Sequence, residues 1–263
     1  MNVLVFIKQV ADTEARIIIS SDQKSLEIEN KYTVNFFDEF AVEEAIRIKE
    51  ALKDVQITVC TFAPARATEA LRTAIAMGAD RAVRIDSTNF ATDDPLIVAR
   101  ALASYAKIEG FDLILCGRQA MDDESANVGA MVAEFLNIPH VSQISRLHML
   151  DAGRAEVENE IEGGKKVSEV TLPALFTAQK GLNEPRVPLI TGVMKAMKTE
   201  ITVLDPASSG TPFGPIDDGS SRVSVLSYEL PAQRPSVRII EGETPEEKVK
   251  GLVRVLKEEA KVL

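Results

Sequence analysis

The sequence predicts an α/β fold: a mostly parallel twisted sheet with helices on both faces, an antiparallel hairpin portion, and a C-terminal arm that ends in a helix. Three observations lead to this prediction. The first half alternates short β-branched runs with helical periodicity, a Gly-Gly turn separates two strand-like runs in the second half, and a stretch rich in Pro, Gly and Ser precedes a capped amphipathic segment. We expect two parts, an α/β domain over 1–204 and the arm with its terminal helix over 205–263.

Four short apolar runs in the first half are typical of strands that are buried on both faces. They are Asn2–Ile7, Val55–Cys60, Arg81–Ile85 and Asp112–Cys116. Helical patterns separate these runs. Because strand, helix and strand in succession imply right-handed crossovers, we expect parallel strands with helices on both faces of the sheet.

The spacing of apolar residues predicts four helices in the first half. The first has Asp38 as its expected N-cap and an apolar stripe at i, i+4, i+7 and i+11. The stripe comprises Ala41, Ala45, Ile48 and Leu52. The other three helices are expected over Ala67–Met77, Pro95–Ile108 and Ser125–Leu136.

After about residue 142 the pattern becomes antiparallel. Ala155–Ile161 and Lys166–Val170 flank the turn Glu162-Gly163-Gly164, which is a good hairpin signal. Leu175–Ala178 and Glu200–Leu204 are also strand-like. We therefore expect the sheet to continue with an antiparallel portion.

A helix ends the sequence beyond an extended arm. The arm spans Asp205–Arg222 and continues through Pro231–Pro235. Thr244 is the expected N-cap, Pro245 occupies the first helical position, and Glu247 completes a capping box. The apolar stripe of this helix can be buried either on its own domain or on a partner subunit; it comprises Val249, Leu252, Val253, Leu256 and Ala260.

Composition excludes several classes of protein. The 263 residues carry a formal net charge of −10, which argues against binding to a nucleic-acid backbone. The longest apolar runs are strand-sized, so we expect a protein that is not membrane-embedded. The first ten residues enter a strand at once and lack the features of a signal peptide. With two cysteines and two histidines, we expect a cytoplasmic protein without a disulfide framework or a metal site.

The loop Gly117–Gly129 is the strongest candidate for a binding site, because ligands of parallel sheets bind at the carboxyl ends of the strands. Gly117 permits a tight exit from its strand, and the amides of Ser125–Val128 would open a helix, where phosphate binds. Asp122–Glu124 would repel a phosphate unless they face ribose hydroxyls, cap the helix or remain in water. The alternative is that these carboxylates only complement the helix dipole.

Two other turns are weaker candidates. The turn Asn35–Asp38 precedes the first long helix and could place an Asn side chain or a backbone amide against a nucleotide. Its alternative interpretation is an Asn turn followed by two phenylalanines that fill the core. Thr61–Pro64 also ends a strand, but on its own it indicates little.

Catalytic signatures do not occur in the sequence. GxGxxG after the first strand, GxxxxGK[ST] and a Ser-centred nucleophile elbow are all missing. Cys60 and Cys116 are expected to be inert core thiols, and His140 and His148 lack partners at metal-ligand spacing. A nucleotide-shaped site without catalytic groups indicates a binding or carrier protein, and a stand-alone nucleotide-binding regulator remains an alternative.

Five motifs, in order and at the right separations, resemble the β subunit of electron transfer flavoproteins. They are Ala41-Val42-Glu43-Glu44-Ala45, Ala74-Ile75-Ala76-Met77-Gly78-Ala79-Asp80-Arg81, Gly117-Arg118-Gln119-Ala120-Met121-Asp122-Asp123, Glu162-Gly163-Gly164 with Leu172-Pro173-Ala174-Leu175, and Leu182-Asn183-Glu184-Pro185-Arg186. The resemblance implies an adenine-nucleotide-binding α/β domain and a heterodimer with an α subunit, on which the C-terminal helix docks. In that heterodimer FAD, held mainly with the α subunit, carries electrons from a flavin-dependent acyl-CoA or similar dehydrogenase to a quinone oxidoreductase or another acceptor.

The resemblance also implies nucleotide contacts at matching positions. These are Phe6, Asn35, Phe36, Phe37, Asp38, Phe62, Gly117, Arg118, Gln119, Ala120, Met121, Asp122, Asp123, Glu124, Ser125, Ala126, Asn127 and Val128. Most members of the family hold AMP at this place, whereas β subunits of electron-bifurcating flavoproteins hold a second FAD and take electrons from NADH. Ala126-Asn127-Val128-Gly129 fits the bifurcating pattern, but Asp123, Ser125 and Ala130 depart from it. We therefore expect AMP, with a second FAD as the alternative.

A partner-docking segment is implied over Val187–Lys198. Ile190 falls at the family's anchor position, Leu189 is adjacent, and Met194 belongs to the same segment. The alternative is that Leu189 and Ile190 pack in the core. Glu160 matches an acidic position thought to restrain the mobile flavin domain.

Overall fold

A computed structural model of the chain describes residues 1–206, 213, 216, 221–234 and 236–263. Its elements in chain order are β1 (Asn2–Phe6), β2 (Gln9–Ala11), β3 (Ile17–Ile19), β4 (Leu26–Ile28), β5 (Tyr32–Val34), α1 (Phe36–Ala51), β6 (Gln56–Ala63), α2 (Thr68–Met77), β7 (Arg81–Asp86), α3 (Pro95–Glu109), β8 (Leu113–Gly117), α4 (Val128–Leu136), β9 (His140–Asp151), β10 (Arg154–Ile161), β11 (Gly164–Thr171), β12 (Ala174–Ala178), α5 (Ile190–Lys198), β13 (Ile201–Leu204) and α6 (Pro245–Glu258). Much of the arm expected over Asp205–Arg222, and Pro235 of its continuation, lie outside the described residues.

Nine of the described strands form one sheet, in the order β11-β10-β9-β12-β8-β1-β6-β7-β13. Neighbours pair in parallel except where β10 meets β9 and β11. The chain builds outward from β1 to β6 and β7, then returns to the other side of β1 to form β8. The predicted parallel sheet with an antiparallel hairpin is confirmed, and its strand order reverses between β1 and β8.

Helices cover both faces of this sheet, as predicted. Val3 and Val5 of β1 pack in one apolar cluster with α1 and α2. Leu4 and Phe6, which alternate with them, pack in a second cluster with α3 and α4. Because successive strand residues point to opposite faces, β1 is buried on both sides. Burial of each such side chain stabilises the fold by roughly 1.5–3 kcal/mol.

Two helices begin at residues other than those predicted. Asn35, and not Asp38, is the N-cap of α1, so Phe36–Asp38 form the first helical turn. α4 begins at Val128 and not at Ser125. Glu124 and Ala126 have φ values of 51° and 54°, and this left-handed backbone prevents a right-handed helix from starting there.

Residues 8–34 contain two small antiparallel ladders that the sequence did not predict. β2 pairs with β5, and β3 pairs with β4. Each of these strands has only three residues. A run of that length is too short to show the alternation of apolar and polar residues that identifies a strand.

The chain divides into two compact units, Met1–Ser227 and Tyr228–Leu263. The smaller unit contains α6, whose predicted capping box is confirmed. Thr244 Oγ1 accepts from the Glu247 amide at 3.3 Å, and Glu247 Oε2 accepts from the Thr244 amide at 3.4 Å. An ion pair of 2.7 Å joins Arg238 to Glu259 within the unit. Among the described residues, no helix is both long and apolar enough to cross a membrane.

Candidate functional site

A cavity of about 320 Å³ opens at the carboxyl ends of β1 and β8. It is enclosed by those strand ends, by the first turns of α1, α3 and α4, and by the loop between β8 and α4. Strand order reverses between β1 and β8, and a crevice at such a reversal is where open α/β sheets bind ligands. The cavity is therefore the candidate site.

Asp38 ties the two strand ends together beneath the cavity. Its carboxylate accepts from the Lys8 amide at 2.7 Å and from the Gly117 amide at 2.8 Å. Burial raises the pKa of Asp38 to about 7, although both hydrogen bonds favour the ionised form. Asp38 thus has a structural task in α1 instead of the predicted capping role.

The first turn of α1 packs so closely against the end of β8 that Gly117 is required there. A Cβ at this position would overlap Asp38 Oδ1 and would lie 2.7 Å from Phe37 Cβ. A larger residue would displace either the carboxylate or the first turn of α1. The predicted tight exit from the strand is therefore a consequence of side-chain packing.

Asn35 holds the loop that follows β8. Its side chain is 1% exposed, its Nδ2 donates to the Gln119 carbonyl at 2.9 Å, and its Oδ1 accepts from the Met121 amide at 3.1 Å. Both ends of the amide therefore bind the loop, because a buried polar group needs such partners. The side chain shapes the cavity wall.

Lys8 balances two of the three carboxylates in this loop. Its Nζ lies 2.7 Å from Asp122 Oδ1 and 3.1 Å from Asp123 Oδ2. Burial alone would lower the pKa of Lys8, but the hydrogen bond and charge of Asp122, with those of Asp123, raise it, so the ammonium stays charged. The acidic loop is thus partly neutralised where it borders the cavity.

The amino terminus of α4 supplies free donors. Within the described part of the chain, no hydrogen bond is made by the amides of Val128, Gly129 and Ala130, and the Asn127 side chain does not cap the helix. The Ser125 amide is different, because it donates to Asp123 Oδ1 at 3.0 Å. Of the four predicted amides, Ser125 is therefore paired, whereas those of Ala126, Asn127 and Val128 make no hydrogen bond within the described residues. They lie at the positive end of the helix dipole, which attracts an anion.

Arg118 adds a cation to the same wall. Its guanidinium carbon lies 5.0 Å from the centre of the Phe37 ring, a cation–π distance. Its Nε is buried and has no hydrogen-bond partner among the described residues. Because Arg118 lines the cavity, its positive charge suits an anionic ligand.

Most of the predicted nucleotide contacts line the cavity. These are Phe6, Asn35, Asp38, Gly117, Arg118, Gln119, Ala120, Asp123, Ser125, Ala126, Asn127 and Val128. The lining does not include Phe36, Phe37, Phe62, Met121, Asp122 or Glu124. Phe62 packs edge-on against Phe90, with 5.6 Å between the ring centres. Phe36 packs against Phe37 and Phe40, its two neighbours in α1.

Eight further residues line the cavity and were not predicted as contacts: Lys8, Thr92, Asp93, Pro95, Val98, Cys116, Gly129 and Val223. Lys8 could have been recognised, because it leaves β1 at the same sheet edge where the acidic loop leaves β8. The residues around Pro95 could not, since only the folded sheet brings α3 beside that loop. Cys116 is buried and burial raises the pKa of its thiol, as does burial for Cys60.

The predicted docking segment is exposed. Leu189 and Ile190 are 75% and 81% exposed, and Met194 in α5 is 55% exposed. The alternative that Leu189 and Ile190 pack in the core is therefore wrong. Glu160 is also exposed, near the end of β10, where it is paired in register with Lys165.

Comparisons with known proteins agree on one family. The sequence model of the electron transfer flavoprotein domain matches residues 25–209. An electron transfer flavoprotein subunit beta of Homo sapiens is 38% identical over 237 residues, which cover 89% of this chain and 90% of that protein. The subunit beta of Bacillus subtilis (strain 168) is 36% identical over 264 residues, covering 100% of both chains. The subunit beta of Syntrophomonas wolfei is 37% identical over 243 residues, 92% of this chain and 91% of that protein.

Proposed function

The chain belongs to the electron transfer flavoprotein β-subunit family, and from that premise we propose that it pairs with an α subunit and carries electrons from flavin-dependent dehydrogenases to a quinone oxidoreductase or another acceptor. In this proposal the cavity between β1 and β8 holds AMP. FAD, shared with the α subunit, supplies the redox chemistry. This chain positions the nucleotide and provides docking surface for the dehydrogenase.

The size and donor set of the cavity support AMP. A volume of about 320 Å³ lies at the lower end of the roughly 300–1,000 Å³ typical of ligand pockets. It suits a mononucleotide better than FAD, which has more than twice as many non-hydrogen atoms. The free amides of Val128–Ala130 would bind the phosphate, and Lys8 would limit its repulsion by the acidic loop.

Nucleotide stoichiometry tests this proposal. The native heterodimer is denatured, and the released nucleotides are separated and quantified by mass spectrometry. One AMP and one FAD per heterodimer is the expected result. Two FAD without AMP would instead identify an electron-bifurcating subunit, and one FAD without any second nucleotide would refute binding at the cavity.

We also propose that Ile190 anchors the dehydrogenase, with Leu189 and Met194 beside it. The three side chains are apolar, exposed and close in sequence, and anchors of this kind dominate the binding energy of many interfaces. Glu160 would contact the α subunit instead, near its flavin.

Replacement of Ile190 by Ala tests the docking role. Loss of a buried anchor weakens binding by about 2 kcal/mol, which is roughly a 30-fold rise in the KM for the heterodimer as electron acceptor. Steady-state assays with an acyl-CoA dehydrogenase that reduces the wild-type heterodimer measure it. Ile108→Ala, at the exposed end of α3, is the matched control and should leave KM unchanged. An unchanged KM for Ile190→Ala would show that the anchor lies elsewhere.

A further inference from the structure

The chain just before the docking segment is fastened to α1. Asn183 is buried, and its Nδ2 donates at 2.9 Å both to the Phe40 carbonyl and to Glu44 Oε2. Three residues later Arg186 makes a second and stronger attachment. The chain is therefore attached to α1 at two nearby residues just before the docking segment begins.

Arg186 binds two carboxylates of α1. Its Nε donates to Glu43 Oε2 at 2.8 Å and its Nη2 to Glu43 Oε1 at 3.0 Å, a bidentate pair. Its backbone amide also donates to Glu43 Oε2, at 3.2 Å, and its Nη1 lies 2.7 Å from Glu50 Oε1. Burial would raise the pKa of Glu43, but the hydrogen bonds and charge of Arg186 hold it below its usual value. Glu43 is thus ionised, and the bidentate geometry fixes the orientation of the Arg186 side chain.

Further along, the docking segment is fixed on α2 through α5. A Cβ at Gly192 would overlap the carbonyl oxygen of Ala76, so only glycine allows this approach of α5 to α2. Arg72 of α2 donates from Nη1 to the Ala196 carbonyl, and Ala196 is buried. α5 therefore starts from a fixed position.

Exposed apolar side chains lie between these two attachments. Val187 is 87% exposed, and Leu189 and Ile190 are nearly as exposed. The side chains of these three residues bury too little surface to hold this part of the chain in place. The attachments at Arg186 and Gly192 must therefore define their position.

We propose that Arg186 is a positioning residue for dehydrogenase docking: through Glu43 and Glu50 it holds Val187–Ile190 in the conformation that the dehydrogenase binds. This inference rests on the proposed function. A segment held in its bound conformation loses less entropy on association than a free one. Release of Arg186 would therefore weaken docking without altering the site of electron transfer.

The test compares Arg186→Gln with Arg47→Gln in the native heterodimer. Arg47 donates to the same Glu43 carboxylate, at 3.2 Å, but does not hold the docking segment. Arg186→Gln should raise the KM for the heterodimer in the acyl-CoA dehydrogenase assay about tenfold, because the released segment must then lose conformational entropy when it binds the dehydrogenase. The kcat and the FAD and AMP contents should stay unchanged. Arg47→Gln should change none of these quantities.

Two milder variants keep the proposal testable if Arg186→Gln does not fold. Arg186→Lys retains the charge but loses the bidentate geometry, and Glu50→Gln weakens only the exposed half of the attachment. Both should raise KM by a smaller factor, on the order of threefold, from the same loss of preorganisation. An unchanged KM in both would overturn the proposal.

A double variant separates this proposal from the docking function. If Arg186 acts through the segment, Arg186→Gln should raise KM less in an Ile190→Ala background than in the wild type. If Ile190→Ala raises KM but Arg186→Gln does not, the docking function stands and the positioning role is wrong. If Ile190→Ala leaves KM unchanged, the docking function itself is wrong. A fall in kcat and FAD content at unchanged KM would show that Arg186 serves only the fold.

Discussion

Gly117→Ala is expected to destabilise the protein through the packing beneath the cavity. The added Cβ would overlap Asp38 Oδ1 and would lie 2.7 Å from Cβ and 2.8 Å from the carbonyl carbon of Phe37. One of these contacts is with backbone in the first turn of α1. The new methyl group therefore has no flexible neighbour that can move without loss.

The magnitude follows from the two ways of relieving the overlap. A shift of α1 is a case of overpacking, which costs about 1–3 kcal/mol. A retreat of Asp38 would weaken its 2.8 Å hydrogen bond from the Gly117 amide, and bonds to a charged group contribute about 1.5–3 kcal/mol. Either route lowers the free energy of unfolding by about 2 kcal/mol. With a urea m value of about 3 kcal/mol/M, the unfolding midpoint falls by about 0.7 M.

Urea unfolding of the heterodimer at fixed protein and nucleotide concentrations measures this shift. Gly164→Ala is the matched control, because a Cβ there meets no atom within 4 Å and its φ is not positive. The control should lie within about 0.5 kcal/mol of the wild type. A Gly117→Ala midpoint equal to that of the control would refute the account of how β1, β8 and α1 meet.

Two further predictions concern charges at the cavity. Lys8→Met removes the cation beside Asp122 and Asp123, so that these carboxylates repel the phosphate of AMP more strongly. An exposed charge pair at 4 Å contributes roughly 1 kcal/mol, so AMP binding should weaken several-fold. AMP retained after dialysis measures this, and additional Asp122→Asn and Asp123→Asn changes should restore retention if repulsion is the cause. For Asp38, a pKa raised from 3.8 to about 7 means that the folded state binds the proton more tightly. The free energy of unfolding should therefore fall as pH rises from about 4 to 7; Asp38→Asn should flatten this slope in urea titrations, and an equal slope in the two proteins would contradict the raised pKa.

Several parts of the fold were predictable from one local pattern, but β9 (His140–Asp151) and α5 (Ile190–Lys198) were not predicted. The apolar runs around Val3 and Leu113 identified buried strands, and Thr244 with Glu247 identified the start of α6. The ladders over residues 8–34 escaped prediction, because three-residue strands carry no period. The start of α4 was misplaced because the left-handed backbone at Glu124 and Ala126 occurs in residues other than glycine.

The candidate site was predictable in its loop but not in its contacts across the sheet. The exit at Gly117 and the free amides near Val128 follow from a strand that leads into a helix. Lys8 meets Asp122 across 114 positions of sequence, and only the pairing of β1 with β8 brings them together. The link from Arg186 to Glu43 spans 143 positions and depends on the same kind of long-range packing.

In the proposed function, the opening turn of α4 binds the phosphate of an adenine mononucleotide. A crystal structure of the native heterodimer, with its nucleotides retained through purification, tests it most directly. We expect phosphate density within hydrogen-bonding distance of the Val128, Gly129 and Ala130 amides, and an adenosine moiety between β1 and β8. Side chains or solvent filling that space, with the second nucleotide bound elsewhere or missing, would contradict the claim.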